Sequence, residues 1–158
     1  MKTSKFTKLF IAFCAMSALV ACGGQTEVDQ RDQFIGTYSY QASGNLDFYA
    51  GDRKILSVPL NEEGTLTIAK SGDKDQVNII GYNDTIRAKV SGNTLTLESN
   101  DYTQTKSGLT VQMHFTYGKA TLTDNVLSWQ SDVTGVGTYM GITANGNGSV
   151  SVVATKLQ

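Results

Sequence analysis

From Phe34 onward, apolar and polar positions alternate along the chain in short runs. "LTVQMHFTY" is the plainest of them. Leu109, Val111, Met113, Phe115 and Tyr117 fall on one face, and Thr110, Gln112, His114 and Thr116 on the other. A period of two marks a strand with one face buried. "TIRAKVSGNTLTLES" predicts a hairpin, with Ile86, Ala88 and Val90 meeting Leu95 and Leu97 across Ser91-Gly92-Asn93. "KATLTDNVLSWQSDV" predicts a second around Asp124-Asn125, and "TYMGITANGNGSVSVVATK" a third around Asn145-Gly146-Asn147-Gly148. "GTLTIAK" and "QVNIIGY" are joined by Ser71-Gly72-Asp73-Lys74-Asp75, and "KILSVPL" reads as an extra strand. Pro59, the only proline, belongs at an edge or in a loop because it cannot donate to a ladder. No stretch after Ala21 carries a helical stripe.

The expected domain, residues 34–158, is therefore all-β. Strands joined by two to five residues must be antiparallel neighbours, and about eight of them close into an up-and-down barrel that hides both edges. Such a barrel either fills with side chains or holds one small ligand. A β-sandwich needs the same alternation and stays open as the alternative. Longer connections are expected at residues 43–61 and 99–108, with loops at 43–51 and 99–108 as the exposed segments.

The first residues follow a different pattern. Lys2, Lys5 and Lys8 precede thirteen apolar or small residues, 9–21, too few to span a bilayer, which takes about 20. The run fits the apolar region of an export signal, of about 7 to 15 residues. Leu19-Val20-Ala21-Cys22 resembles the bacterial lipobox at all four positions. That resemblance implies a lipoprotein signal peptide at residues 1–21, cleavage after Ala21 and lipid attachment at Cys22. A thiolate is the nucleophile suited to accepting diacylglycerol, and more than one acyl chain makes the anchor stable. Gly23, where an aspartate would signal inner-membrane retention in enteric bacteria, points to the outer membrane, on its periplasmic or cell-surface side. Residues 22–33 then form the lipidated cysteine and a polar tether, which as flexible coil would reach about 17 to 20 Å.

Composition narrows the partners. Beyond residue 21 there are ten Lys and Arg against fourteen Asp and Glu, a weakly acidic balance without the basic footprint of a nucleic-acid binder. Cys14 leaves with the signal, so Cys22 stands alone and neither a disulfide nor a thiolate metal site is expected. One domain, a monomer, without cofactor or metal, is the expectation.

"FIGTYSY", residues 34–40, resembles the F-x-G-x-W opening of lipocalin and calycin barrels, with Gly36 at the glycine and Tyr38 at the tryptophan position. Lipobox, short polar tether, G-x-Y strand and Thr-rich hairpins such as "GNTLTLES" together resemble small lipocalin-like lipoproteins of Bacteroidetes. The resemblance implies a barrel whose closed end is plugged by the Tyr38 ring, Gly36 allowing close backbone approach. Asp84-Thr85-Ile86 also matches the three-residue pattern that Bacteroidetes glycosylate at the hydroxyl, which makes Thr85 either an acceptor or a plain strand start.

Catalytic constellations are missing. His114, the only histidine, lies on a polar face without a partner for a dyad or metal site. Glu62 and Glu63 would point apart in an extended segment, and Asp73-Lys74-Asp75 lacks the remaining ligands of a calcium loop. No nucleophile elbow occurs, and "GVGTYMG" does not fit a dinucleotide fingerprint. The chain is expected not to be an enzyme. What stands out is its inward aromatic and methionine content: Tyr38, Tyr40, Met113, Phe115, Trp129 and Met140 are the candidate ligand-binding residues, and core packing is the plainer use of the same rows. Two readings follow: an anchored lipocalin-like protein binding a small, partly apolar ligand, or an envelope accessory lipoprotein with a filled barrel presenting loops to a protein or glycan.

Overall fold

In the computed structural model the described residues are 28–81, 84–106, 109–139 and 141–158. The signal peptide, Cys22 and Met140 lie outside them. Eleven strands run in chain order: β1 (Gly36–Ala50), β2 (Arg53–Pro59), β3 (Glu62–Lys70), β4 (Gln76–Ile80), β5 (Thr85–Ser91), β6 (Thr94–Leu97), β7 (Asn100–Lys106), β8 (Leu109–Tyr117), β9 (Lys119–Thr123), β10 (Val126–Tyr139) and β11 (Ile142–Lys156). All pairings are antiparallel, and no helix occurs among the described residues.

Eight of these strands form a closed barrel in the order β11-β1-β3-β4-β5-β6-β9-β10, sealed by the β10–β11 pairing. The alternation expected of a barrel is present, and the sandwich alternative falls away. Three strands are much longer than the barrel needs. β1 pairs with β3 through Gly36–Ala42 and then with β2 through Asn45–Ala50, while β11 flanks it throughout. β10 changes partner in the same way, from β9 at residues 126–128 to β8 at residues 131–139. The far halves of β1, β11 and β10 thus carry an arm, β2-β1-β11-β10-β8-β7, that rises from the barrel rim.

Two turns match the sequence reading. Asp124 and Asn125 both have positive φ, 48° and 67°, the geometry of a type I′ hairpin turn. The β5–β6 hairpin turns at Gly92, φ 58°, with Val90 opposite Leu95 and Ala88 opposite Leu97.

Two other expectations are corrected. Residues 43–51 and 99–108 are not presented loops, because 43–50 continue β1 and 100–106 are β7. The third hairpin does not turn at Asn145-Gly146-Asn147-Gly148. Tyr139 pairs with Ile142, so the chain reverses there, with Gly141 at φ 77°, and the Asn-Gly repeat lies inside β11. Packing explains its glycines. A Cβ on Gly148 would sit 1.9 Å from the Asn45 carbonyl oxygen, and one on Gly146 would sit 2.9 Å from the Phe48 ring. Gly135 and Gly137 on β10 likewise leave room for Leu46 and Phe48. Both side chains are fully buried, in a cluster with Val111, Met113, Val133 and Val150 that holds the arm together.

The barrel has its own core, in which Phe34, Ile68, Val77, Leu95 and Leu127 pack around Tyr38. Tyr38 is 0% exposed, and its hydroxyl donates to the Phe34 carbonyl at 2.8 Å. Gly36 is needed beside it, since φ is 145° and a Cβ would meet the Lys156 side chain at 2.7 Å. The Lys156 ammonium lies 6.0 Å from the Tyr38 ring centroid and donates to the Gln33 carbonyl. Tyr38 thus closes one end of the barrel.

The polar stretch before Phe34 is pinned to this end. Arg31 forks onto Asp29 and donates to the Asp73 carbonyl at 2.8 Å, Lys70 bridges Asp29 and Asp32, and the Gln33 amide donates to the Gly92 carbonyl. The Arg31 and Lys70 side chains hold the Asp29 carboxyl far below the usual carboxylate range.

Gly148→Ala should lower the unfolding free energy by about 1–3 kcal/mol through overpacking in β11. Gly72→Ala, whose Cβ would meet nothing within 4 Å, should stay within about 0.5 kcal/mol of wild type. Urea denaturation of the two variants measures the contrast, and equal effects would contradict the placement of the Asn-Gly repeat.

Candidate functional site

Tyr38 fills one end of the barrel, and the other end is open. There the inward faces of β1, β3, β4, β5, β10 and β11 meet the overhanging β7–β8 pair around a pocket of about 380 Å³. That volume lies within the range of small-molecule sites, about 300–1,000 Å³. Tyr40 and Ala42 come from β1, Leu66 from β3, Ile79 from β4 and Ile86 from β5. Met113, Phe115 and Tyr117 come from β8, Trp129 and Ser131 from β10, and Val150 and Val152 from β11. Pro59 and Leu60 flank the opening on one side, Tyr102 and Gln104 on the other.

Strand alternation sets this lining. Met113, Phe115 and Tyr117 share one face of β8, and the Phe115 and Tyr117 rings stack with centroids 6.0 Å apart and planes 14° apart. Because β8 pairs with β10 above the barrel, this row walls the pocket from the side instead of filling the lumen. Tyr40 lies over Gly64, its partner across β3, where a Cβ would meet the ring at 3.1 Å. The ring leans along the strand, and its hydroxyl donates to Glu62 Oε1 at 2.8 Å. On β10, Leu127, Trp129, Ser131 and Val133 alternate inward. Leu127 belongs to the barrel core and Val133 to the arm cluster, which leaves Trp129 and Ser131 at the junction where the pocket lies.

The polar groups of the lining divide into two sets. Two lining residues carry a buried polar atom without a hydrogen-bond partner among the described residues, the Trp129 Nε1–H and the Ser131 hydroxyl, and Ser131 is only 1% exposed. An unpaired buried donor or hydroxyl costs about 1–3 kcal/mol. At the rim the polar groups are paired: Glu62 accepts from Tyr40, and Asp84 accepts from the Asn100 amide and from the Thr85 N–H. Burial, with a further contribution from Glu62, pushes the Tyr40 phenol up to about 12. Burial and the Asp84 carboxylate push Tyr117 up to about 12, against the Asn100 side chain, which favours the ionised form. Both phenols are therefore neutral donors over the physiological range.

Of the residues singled out from sequence, Tyr40, Met113, Phe115 and Trp129 converge on this pocket. Tyr38 does not line it, being the plug at the other end, and Met140 lies outside the described residues. Sequence reasoning missed Ser131; it put Tyr117 on the inward face of β8 without naming it a candidate, and set Glu62 aside as an acid/base group. Ser131 carried the clearest signal, as a small hydroxyl two residues after Trp129 on an otherwise apolar face. Asp84 was noticed only as part of a modification pattern, in which Thr85 is exposed.

The remaining candidates for chemistry are spread over the outside. His114 faces outward on β8 and bonds Asp101, its cross-strand partner on β7, at 2.6 Å. Asp75 pairs with Lys89 at 3.1 Å, and no group of three or more potential metal ligands occurs among the described residues.

No family model matches the chain, and no curated protein matches it. Among solved structures, the S-type phycobiliprotein lyase CPES from Guillardia theta is similar over 81% of this chain and 90% of its own, at 6% identity and a TM-score of 0.25. A likeness so slight carries no argument about this chain, so the pocket is interpreted from its own residues.

A tyrosine titration followed near 295 nm should show a late step centred near pH 12, well above the ordinary phenol value of about 10. Tyr40→Phe and Tyr117→Phe should each remove one phenol from that step and leave the earlier one unchanged. Loss of amplitude from the earlier step instead would contradict the burial of these hydroxyls.

Proposed function

We infer that the open end of the barrel binds a small, partly apolar molecule carrying at least one hydrogen-bond acceptor. The observation that carries this reading is the pair of unpartnered groups, Trp129 Nε1–H and the Ser131 hydroxyl, in the lining of a mostly apolar pocket. A filled lumen would have buried apolar side chains at these positions. A ligand acceptor reaches them only with a small shift of the lining side chains, and that shift gives both groups partners while the ligand body returns the dispersion contacts that the open volume forgoes. The role is binding, not catalysis. Among the described residues no nucleophile–base pair is assembled in the pocket, and Tyr40 and Tyr117 are held as neutral acids.

The chain works, on this reading, as an exported lipoprotein of the outer membrane, tethered through acyl chains on Cys22. Leu19-Val20-Ala21-Cys22 and the apolar run before it support the anchor. The turn at residues 30–34 lies at the plugged end, so an anchor at Cys22 supports an orientation with that end toward the membrane and the pocket facing away from it.

Trp129 is the sole tryptophan of the chain, so its emission reports on the pocket directly. Titration with the uncharged dye N-phenyl-1-naphthylamine should quench Trp129 and enhance the dye with one-to-one stoichiometry. Ser131→Leu, which fills the space and removes the hydroxyl, should weaken dye binding at least tenfold while the far-ultraviolet circular dichroism stays that of a β-protein. Absence of saturable dye binding to the wild type would refute the pocket. Separately, cells fed a palmitate analogue should label the wild-type chain and not Cys22→Ser; label persisting in the variant would sink the anchor.

A further inference from the structure

The pocket rim carries two carboxylates, Glu62 and Asp84, and none of its described lining residues is Lys, Arg or His. Elsewhere some carboxylates have a cationic partner, Asp29 with Arg31 and Lys70, Asp32 with Lys70, Asp47 with Lys54, Asp75 with Lys89 and Asp101 with His114, while others, such as Asp73, Asp124 and Asp132, have none among the described residues. Glu62 and Asp84 are bonded instead by neutral donors: the Tyr40 phenol for one, and the Asn100 amide and Thr85 N–H for the other. Those bonds aim the two carboxylates without cancelling their charge.

Aromatic rings stand beside the carboxylates. Tyr40, Tyr102, Phe115 and Tyr117 line the same opening. The π-face of an aromatic ring attracts a cation, more strongly as the site loses water. Asp84 adds to the burial that raises the Tyr117 phenol. A ligand is independently indicated in the same pocket by the Ser131 hydroxyl, 1% exposed and without a partner among the described residues.

We propose that the pocket selects a ligand with a cationic head, a primary amine or quaternary ammonium, on an apolar body that bears an acceptor. The head sits at the rim by Glu62 and Asp84 among the tyrosine rings, and the body runs inward toward Trp129 and Ser131. Ligands with a carboxylate or phosphate head are rejected, because they would bring a third negative charge to a rim that has no cation to receive it. The proposal rests on the small-ligand reading above and adds the charge class.

Three probes with one body separate the two ideas: 4-phenylbutylamine, 4-phenylbutanol and 4-phenylbutyrate, titrated against Trp129 emission and by displacement of N-phenyl-1-naphthylamine. The amine should bind at least tenfold more tightly than the carboxylate, with the alcohol between them. Glu62→Gln, which keeps the acceptor for the Tyr40 hydroxyl, and Asp84→Asn, which keeps one of its two acceptor oxygens, should each reduce the amine-to-carboxylate ratio severalfold and leave the alcohol unchanged. High salt should compress the ratio in the same direction. Dye and alcohol binding with no preference for the amine would overturn the charge assignment and leave the pocket standing. Failure of the dye and of all three probes to bind would overturn both.

Discussion

Leu46 and Phe48 lie on bare backbone, over Gly135, Gly137 and Gly146. That contact is the constraint on which the rest of the molecule depends. β1, β10 and β11 each leave the barrel and continue into the arm, and the arm can coil back only where these strands approach one another more closely than side chains allow. Gly44 and Gly148 make that approach at the β1–β11 seam, where a Cβ would fall about 2 Å from a carbonyl oxygen of the facing strand. Glycine is costly in a strand because it weakens packing and loses more entropy on folding. Here two large apolar side chains, fully buried against it, offset the loss, each contributing about 1.5–3 kcal/mol.

The pocket is a consequence of that coiling. A meander that closed around all its strands would direct Met113, Phe115 and Tyr117 into the lumen and fill it. Instead β6 pairs directly with β9, and β7 and β8 are passed to the upper half of β10. The aromatic row of β8 then stands above the rim as a wall. The opposite end has no such diversion, and Phe34, Tyr38 and Leu127 pack it solid. One barrel therefore has a closed end that supplies stability and an open end with the geometry of a binding site.

Charge pairing varies over the surface. Asp29, Asp32, Asp47, Asp75 and Asp101 are met by lysine, arginine or histidine. At the open end Glu62 and Asp84 are met by a phenol, an amide and a backbone N–H. Exposed ion pairs contribute little to stability, about 0–1 kcal/mol, so the difference matters less for folding than for what can approach. On the proposal made above, a rim of carboxylates, neutral phenols and ring faces would select by charge before any deeper contact is made.

Much of this was legible in the sequence. Alternation along "LTVQMHFTY" and the two-residue turns at Asp124-Asn125 and Gly92 are local matters, settled by which side of a strand faces water and by backbone angles that few residues adopt. They led to antiparallel strands, a barrel of about eight, and Tyr40, Met113, Phe115 and Trp129 as inward residues, while Tyr38 at the closed end was implied by the resemblance of "FIGTYSY" to the lipocalin opening. Three things were decided only by the tertiary structure. The Asn145-Gly146-Asn147-Gly148 repeat has the composition of a turn, yet it is strand, because Phe48 and the Asn45 carbonyl, about a hundred residues earlier, need the space. The polar run "NDYTQTK" is a strand because the far half of β10 holds β8, and β8 offers β7 a partner; nothing within those seven residues says so. The union of Glu62, Asp84, Tyr117 and Ser131 at one opening depends on which strands pair and where they part. Periodicity records only the face each residue takes on its own strand, and a site is made of faces from many strands brought together.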